Sequence, residues 1–190
     1  TGTIGVSLGV VREDNQLLGA PASGALQLGQ GAVSSFISLF SERDISAHIT
    51  MKASASYGIT DVEKAQASVF QDVKTLHASA FSFGFYSYDV VKTGDVLALS
   101  IRQPLRVEKG TASLVVPTDV AYAPGQTTVL FEAADISLTP TAREVDLELG
   151  YQWLLGRNLQ IKANILRQFN AGHRAGLDAN AVLLRMSHVF

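Results

Sequence analysis

The sequence predicts an all-β chain, an antiparallel up-and-down β-barrel that crosses a membrane with its strands. Three observations lead there. Hydrophobic residues recur at every second position from end to end, the periodicity of strands, whereas helical spacing is scarce. The opposite face is mostly Ser, Gly, Thr, Asn and Gln, where a soluble sheet would expose many Lys and Glu. Charged residues are 17% of the chain against about 25% in ordinary globular domains, so there is too little ordinary solvent-facing surface.

Taken in order, about ten strands follow, each near the ~9 to 11 residues that cross a bilayer at a tilt and longer than the usual soluble strand. The first, 3–12, sets Ile4, Val6, Leu8 and Val10 against Gly5, Ser7 and Gly9. The second spans 32–42. The third, 46–58, is the cleanest: Ala47, Ile49, Met51, Ala53, Ala55 and Tyr57 oppose His48, Thr50, Lys52, Ser54, Ser56 and Gly58. Strands at 77–90 and 95–106 come next. Those at 111–122 and 127–138 are less regular, because Pro117 and a shifted phase around Glu132 to Ile136 predict a bulge or change of register. In 143–154, Val145, Leu147, Leu149, Tyr151 and Trp153 oppose Glu144, Asp146, Glu148, Gly150 and Gln152. In 159–169, Leu159, Ile161, Ala163 and Ile165 oppose Gln160, Lys162 and Asn164, and 178–190 completes the set. One segment departs from this period. Val62, Val69, Val73 and Leu76 stand at helical spacing and predict a short loop helix within 61–76.

The connections agree with a barrel. Four short links, "RDIS", "VKTG", "APGQ" and "LGRN", fall on one side, and the two longest, 13–31 and 59–76, fall on the other with 170–177. Short periplasmic turns and longer outer loops are the expected asymmetry, although "EKG" and "TPTA" are short on the outer side.

Several function classes drop out. Net charge is −2 without long runs of one sign, which gives nucleic acid no electrostatic footprint. There is no cysteine, hence no disulfide framework, thiol catalysis or Cys-based zinc site. No stretch approaches the ~18 to 20 apolar residues of a spanning helix. The first residues, "TGTIGVSLGVVRED", lack the basic start and apolar block of a signal peptide, so the chain reads as a mature piece or fragment, taken as one domain over 1–190. Histidines at 48, 77, 173 and 188 have no metal-ligand spacing, and "GQGAVS" lacks the third glycine of a phosphate loop. No metal, no cofactor and no catalytic set is expected.

Charges on the polar faces are the candidate functional residues. Lys52, Arg102, Arg106, Glu144, Asp146, Glu148, Lys162 and Arg185 are expected to point into the lumen, since Arg or Lys facing lipid at the midplane would cost about 2–4 kcal/mol. There they either form a network that holds or yields to a segment in the pore, or merely satisfy one another in a wet interior. Tyr57, Tyr86, Tyr88, Tyr151 and Trp153 sit toward strand ends and are expected at the membrane interfaces, against outer-membrane lipid.

The chain closes on "LLRMSHVF", where Val182, Leu184, Met186, His188 and Phe190 fall on one face. This resembles the C-terminal signal by which outer-membrane proteins are handed to the barrel assembly machinery, although a Tyr or apolar residue is more usual where His188 stands.

The stretch "AFSFGFYSYDVVKTGDVLALSIRQPLRVEKGTASLVVP", followed by "AREVDLELGYQW" and "LLRMSHVF", resembles the translocator domain of bacterial autotransporters, most closely those that follow subtilisin-like serine peptidase passengers. "GD.L.LS..QPLRVE.G" is its most specific part, and the similarity runs from about residue 31 to the end. The resemblance implies an outer-membrane barrel whose lumen is threaded by its own passenger segment. Such barrels have about twelve strands, so the first strands lie upstream or two are merged within 13–42. The peptidase nucleophile motif Gly-Thr-Ser-x-Ala is absent, and Ser113 in "KGTASL" lies on a strand. The chain itself is expected to be a non-enzyme. Alternatives are a stand-alone pore for small solutes and a soluble lipocalin-like binding barrel.

Overall fold

The computed structural model describes residues 1–21, 27–64, 68–156 and 158–188. It is all-β and antiparallel, with a single 3-10 turn at Ala171–His173 and no α-helix among the described residues. Eight long strands form the main sheet: β1 (Gly2–Asp14), β4 (Gly31–Ser46), β5 (Ile49–Glu63), β7 (Leu76–Tyr88), β8 (Val96–Lys109), β11 (Val145–Leu155), β12 (Leu159–Phe169) and β13 (Ala179–His188). Their spatial order follows their chain order, so the sheet is a meander. Among the described residues β1 and β13 do not pair, and the sheet has two edges. Between β1 and β4 lies a small hairpin of β2 (Gln16–Leu17) and β3 (Ala20–Pro21).

The alternation that predicts strands also sets the faces. Across β5, β7, β8, β11, β12 and β13 the register aligns Met51, Phe85, Leu99, Leu149, Ile165 and Val182 in one apolar row. One residue along, Lys52, Gly84, Ser100 and Glu148 align on the other face. A one-residue slip would exchange the faces, so the two-residue period fixes the register.

Two expectations are corrected. First, β9 (Thr111–Ala123) and β10 (Gln126–Ser137) are not members of the main sheet, because β8 pairs directly with β11, from Arg102↔Asp146 to Val96↔Gln152. They form a hairpin beyond it, joined by β6 (Phe70–Val73) in the order β10-β9-β6. "APGQ" is therefore that hairpin's tip and not a turn beside "RDIS" and "LGRN". The expected irregularity is a bulge between Leu130 and Phe131, opposite Asp119 and Pro117. Second, the helix expected within 61–76 is absent among the described residues. Val62 belongs to β5, Val73 ends β6 and Leu76 begins β7. The β6 backbone pairs with β9 instead of with itself, so tertiary pairing overrides the local spacing. Residues 65–67 lie outside the described part.

Few side chains are fully buried, and most of these are polar. The buried hydrophobic residues are Ala32, Leu76, Ala78 and Ala112, whereas the buried polar ones are Thr50, Thr60, Asp95, Gln103, Glu144, Asp146 and His173. Large apolar side chains are exposed along one face of the sheet, among them Ile4, Leu8, Leu39, Leu99, Leu149, Ile165 and Leu184.

Candidate functional site: the polar face of the sheet

Hydroxyl pairs pave the polar face where β4, β5 and β7 meet. Ser34 and Thr60 lie 2.8 Å apart, Ser38 and Ser56 2.7 Å, and Ser54 and Ser82 2.7 Å. Cross-strand hydroxyl bonds of this kind satisfy polar groups without charge. Beside them, Phe36 and Phe40 lie over Gly9 and Gly5 of β1. A Cβ at either glycine would fall 2.2 Å or 2.0 Å from the ring tip, so the glycines make room for the rings.

Charged groups occupy the rest. Lys52 bonds Glu42 at 2.9 Å and stands over the Tyr86 ring, 5.5 Å from its centroid. Arg102 grips the buried Asp146 Oδ2 with Nη2 at 2.7 Å and Nε at 3.2 Å, while Gln168 donates to Oδ1 at 3.2 Å. Asn164 donates to Glu148. These groups surround a polar recess of about 200 Å³, lined by Lys52, Ser82, Tyr86, Arg102, Asp146 and Glu148. Lys162 and Arg185 face each other across β12 and β13, and neither meets an acidic partner among the described residues.

Two clusters tie β8 to β11, one at each end of the pair. At one end, Arg143 donates to Gln103 and, at 2.8 Å, to Glu108; Arg106 pairs with Glu108 and donates to the carbonyls of Ala142 and Pro140 at 3.0 and 3.1 Å. His173 closes this end. Its Nδ1 accepts the Glu144 N–H at 2.9 Å, which fixes the proton on Nε2, and Nε2 donates to the Leu105 carbonyl at 2.9 Å. The Glu144 carboxylate accepts from Gly172 N–H at 2.6 Å and Gln168 at 2.9 Å. Leu17, Leu18 and Leu28, from the connection between β1 and β4, join Leu76, Leu105 and Leu138 around an apolar recess of about 350 Å³ beside His173.

At the other end, Asp95 holds the 89–95 turn. It accepts N–H from Val90, Val91 and Lys92 at 2.7, 2.9 and 2.9 Å, together with the Tyr151 hydroxyl. Burial alone would raise its pKa, but these four donors outweigh burial and hold the carboxyl at about 2. Gly94, at φ 87°, supplies a backbone conformation that residues with a Cβ rarely adopt.

The candidate charges thus divide into groups. Lys52, Arg102, Asp146 and Glu148 share one recess; Arg106 and Glu144 belong to the cluster at the far end of β8; Lys162 and Arg185 stand apart near the β13 edge. Sequence reading missed Glu42, Glu108 and Arg143 as partners. Glu42 was legible, since the short turn after it sets Glu42 against Lys52. The five aromatics also divide. Tyr151 and Trp153 stack on the apolar face with centroids 5.4 Å apart, and Tyr57 on that face bonds His77 Nδ1 at 2.6 Å. Tyr86 and Tyr88, even-numbered with Ser82 and Gly84, lie on the polar face, opposite to the other three. Of the C-terminal set, Val182, Leu184 and Met186 are exposed on β13 and His188 ends it; Phe190 lies outside the described residues.

Comparison with protein-family models, with curated proteins and with solved structures finds no match to this chain.

Proposed function

We propose that this chain is an outer-membrane β-barrel domain that anchors and translocates a passenger segment, without catalysis of its own. The observation that carries the reading is the inverted burial: polar side chains are packed away from solvent while row after row of Leu, Ile, Val and Phe stands exposed. Lipid is the solvent in which that arrangement is favourable, at roughly 25 cal/mol per Å² of apolar surface kept from water. Eight antiparallel strands of 10 to 16 residues are long enough to cross a bilayer. In this reading the sheet closes through its two edges, alone or with further strands, and the hydroxyl and charged face becomes the lumen wall.

The translocator role rests on the resemblance, and the residues that carry it fall into the clusters at the two ends of the β8–β11 pair and the recess between them. "GD" is the Gly94–Asp95 turn, "QPLRVE" supplies Gln103, Arg106 and Glu108, and "AREVDLELGYQW" supplies Arg143, Asp146 and Tyr151. The test is to express the chain in a Gram-negative host with a reporter upstream of Thr1. Reporter accessible to external protease supports translocation. A barrel that inserts and conducts ions while the reporter stays inside would make it a passive pore.

A further inference from the structure

We propose that the free edge of β10 is a docking edge for an extended, cationic and apolar segment of another protein, which adds to the β10-β9-β6 sheet as a fourth strand. This stands apart from translocation, because the hairpin lies outside the main sheet. β10 is exposed along nearly all of its 12 residues, and its outer edge pairs with no strand among the described residues. An extended partner could satisfy that row of backbone groups. The bulge puts Val120 opposite Val129 and Pro117 opposite Phe131, so the hairpin presents an apolar face that includes Tyr122, 81% exposed, and Phe131, 64% exposed.

Charge narrows the partner. Residues 110–142 contain Asp119, Glu132 and Asp135 but no Lys or Arg, and none of these carboxylates has a basic partner among the described residues. A second copy of β10 carries the same carboxylates and no cation, so self-pairing would gain no ion pair. A strand with Lys at alternate positions would set ammonium groups beside Glu132 and its apolar residues beside Phe131 and Val129.

The probe is a labelled ten-residue peptide of alternating lysine and valine, titrated against the whole folded chain in lipid nanodiscs. Glutamate–valine and all-lysine peptides serve as controls, and amide exchange is followed in β10. Saturable binding of the lysine–valine peptide is expected, with alternate β10 amides protected, and Glu132→Lys or Phe131→Ser should each weaken it at least fivefold. Circular dichroism checks that both variants remain folded. Equal binding of all-lysine peptide without β10 protection, equal binding of the glutamate peptide, or crosslinking of β10 between two copies would each overturn the proposal.

Discussion

The Asp95 carboxylate accepts the Tyr151 hydroxyl across the β8–β11 pair while three backbone N–H groups of its own turn donate to it. Removal of that carboxylate orphans four donors at once. Asp95→Ala should speed amide exchange at Val90, Val91 and Lys92 by roughly tenfold or more, with exchange elsewhere in β11 little changed.

The same group sets an acid limit. Its pKa is lowered from the ordinary 3.8 to about 2 in the folded chain, so its contribution to stability is fully present above the unfolded value. That contribution fades as pH falls from about 4 to about 2 and is absent below. Tyr151→Phe removes one donor, so the acid transition of the turn should move to higher pH. Exchange at Val91 measured as a function of pH reads it, and an unchanged profile would mean that the Tyr151 hydroxyl does not hold the Asp95 carboxylate.

Asp146 is 2% exposed and its cation is Arg102, itself more than half exposed. Loss of the arginine leaves a buried carboxylate with only Gln168. Arg102→Ala should cost up to about 3 kcal/mol in urea unfolding from detergent, below the upper range for buried pairs because water reaches the arginine. Arg102→Ala with Asp146→Asn should recover much of that loss.

His173 bonds the backbone of β8 at Leu105 and that of Glu144, the residue before β11. It does so at φ 58°, a conformation that glycine would adopt without strain. His173→Ala and His173→Gly should both cost about 1 to 3 kcal/mol and open the 170–177 loop to protease. If His173→Gly is harmless, the backbone and not the ring holds that end.

Phe36 lies over Gly9 so closely that a methyl there collides with the ring. Gly9→Ala should cost about 1 kcal/mol in the natural background, as the ring swings aside, and nothing in Phe36→Ala. A double-mutant cycle in urea measures the coupling, and additive effects would show the ring is not seated there.

How much of this was legible follows from what a period can carry. Alternation at Met51, Leu149 or Ile165 states strand and face, because side-chain direction is a property of the strand alone. It does not state the neighbour. Strands 111–122 and 127–138 have strand periodicity, yet they lie outside the main sheet because β8 takes β11 as its partner. Val62, Val69 and Val73 have helical spacing, but β-branched residues favour strands and β9 offers a pairing edge. Residue type and face single out Arg102 and Asp146, whereas their contact depends on the register of β8 on β11. His173 carried no signal, since its role depends on a loop fold that no spacing encodes.

In the proposed reading, the face bearing Leu99, Leu149 and Ile165 meets lipid. Trp153, on that face, is the one tryptophan of the chain. The most direct measurement is its fluorescence in vesicles whose acyl chains carry bromine, beside Trp153→Phe variants with tryptophan placed at Leu149 or at Glu148. Quenching of Trp153 is expected, with stronger quenching from deep bromine at position 149 and little at position 148. Quenching at 148 equal to that at 149, or none at either in folded protein, would contradict it.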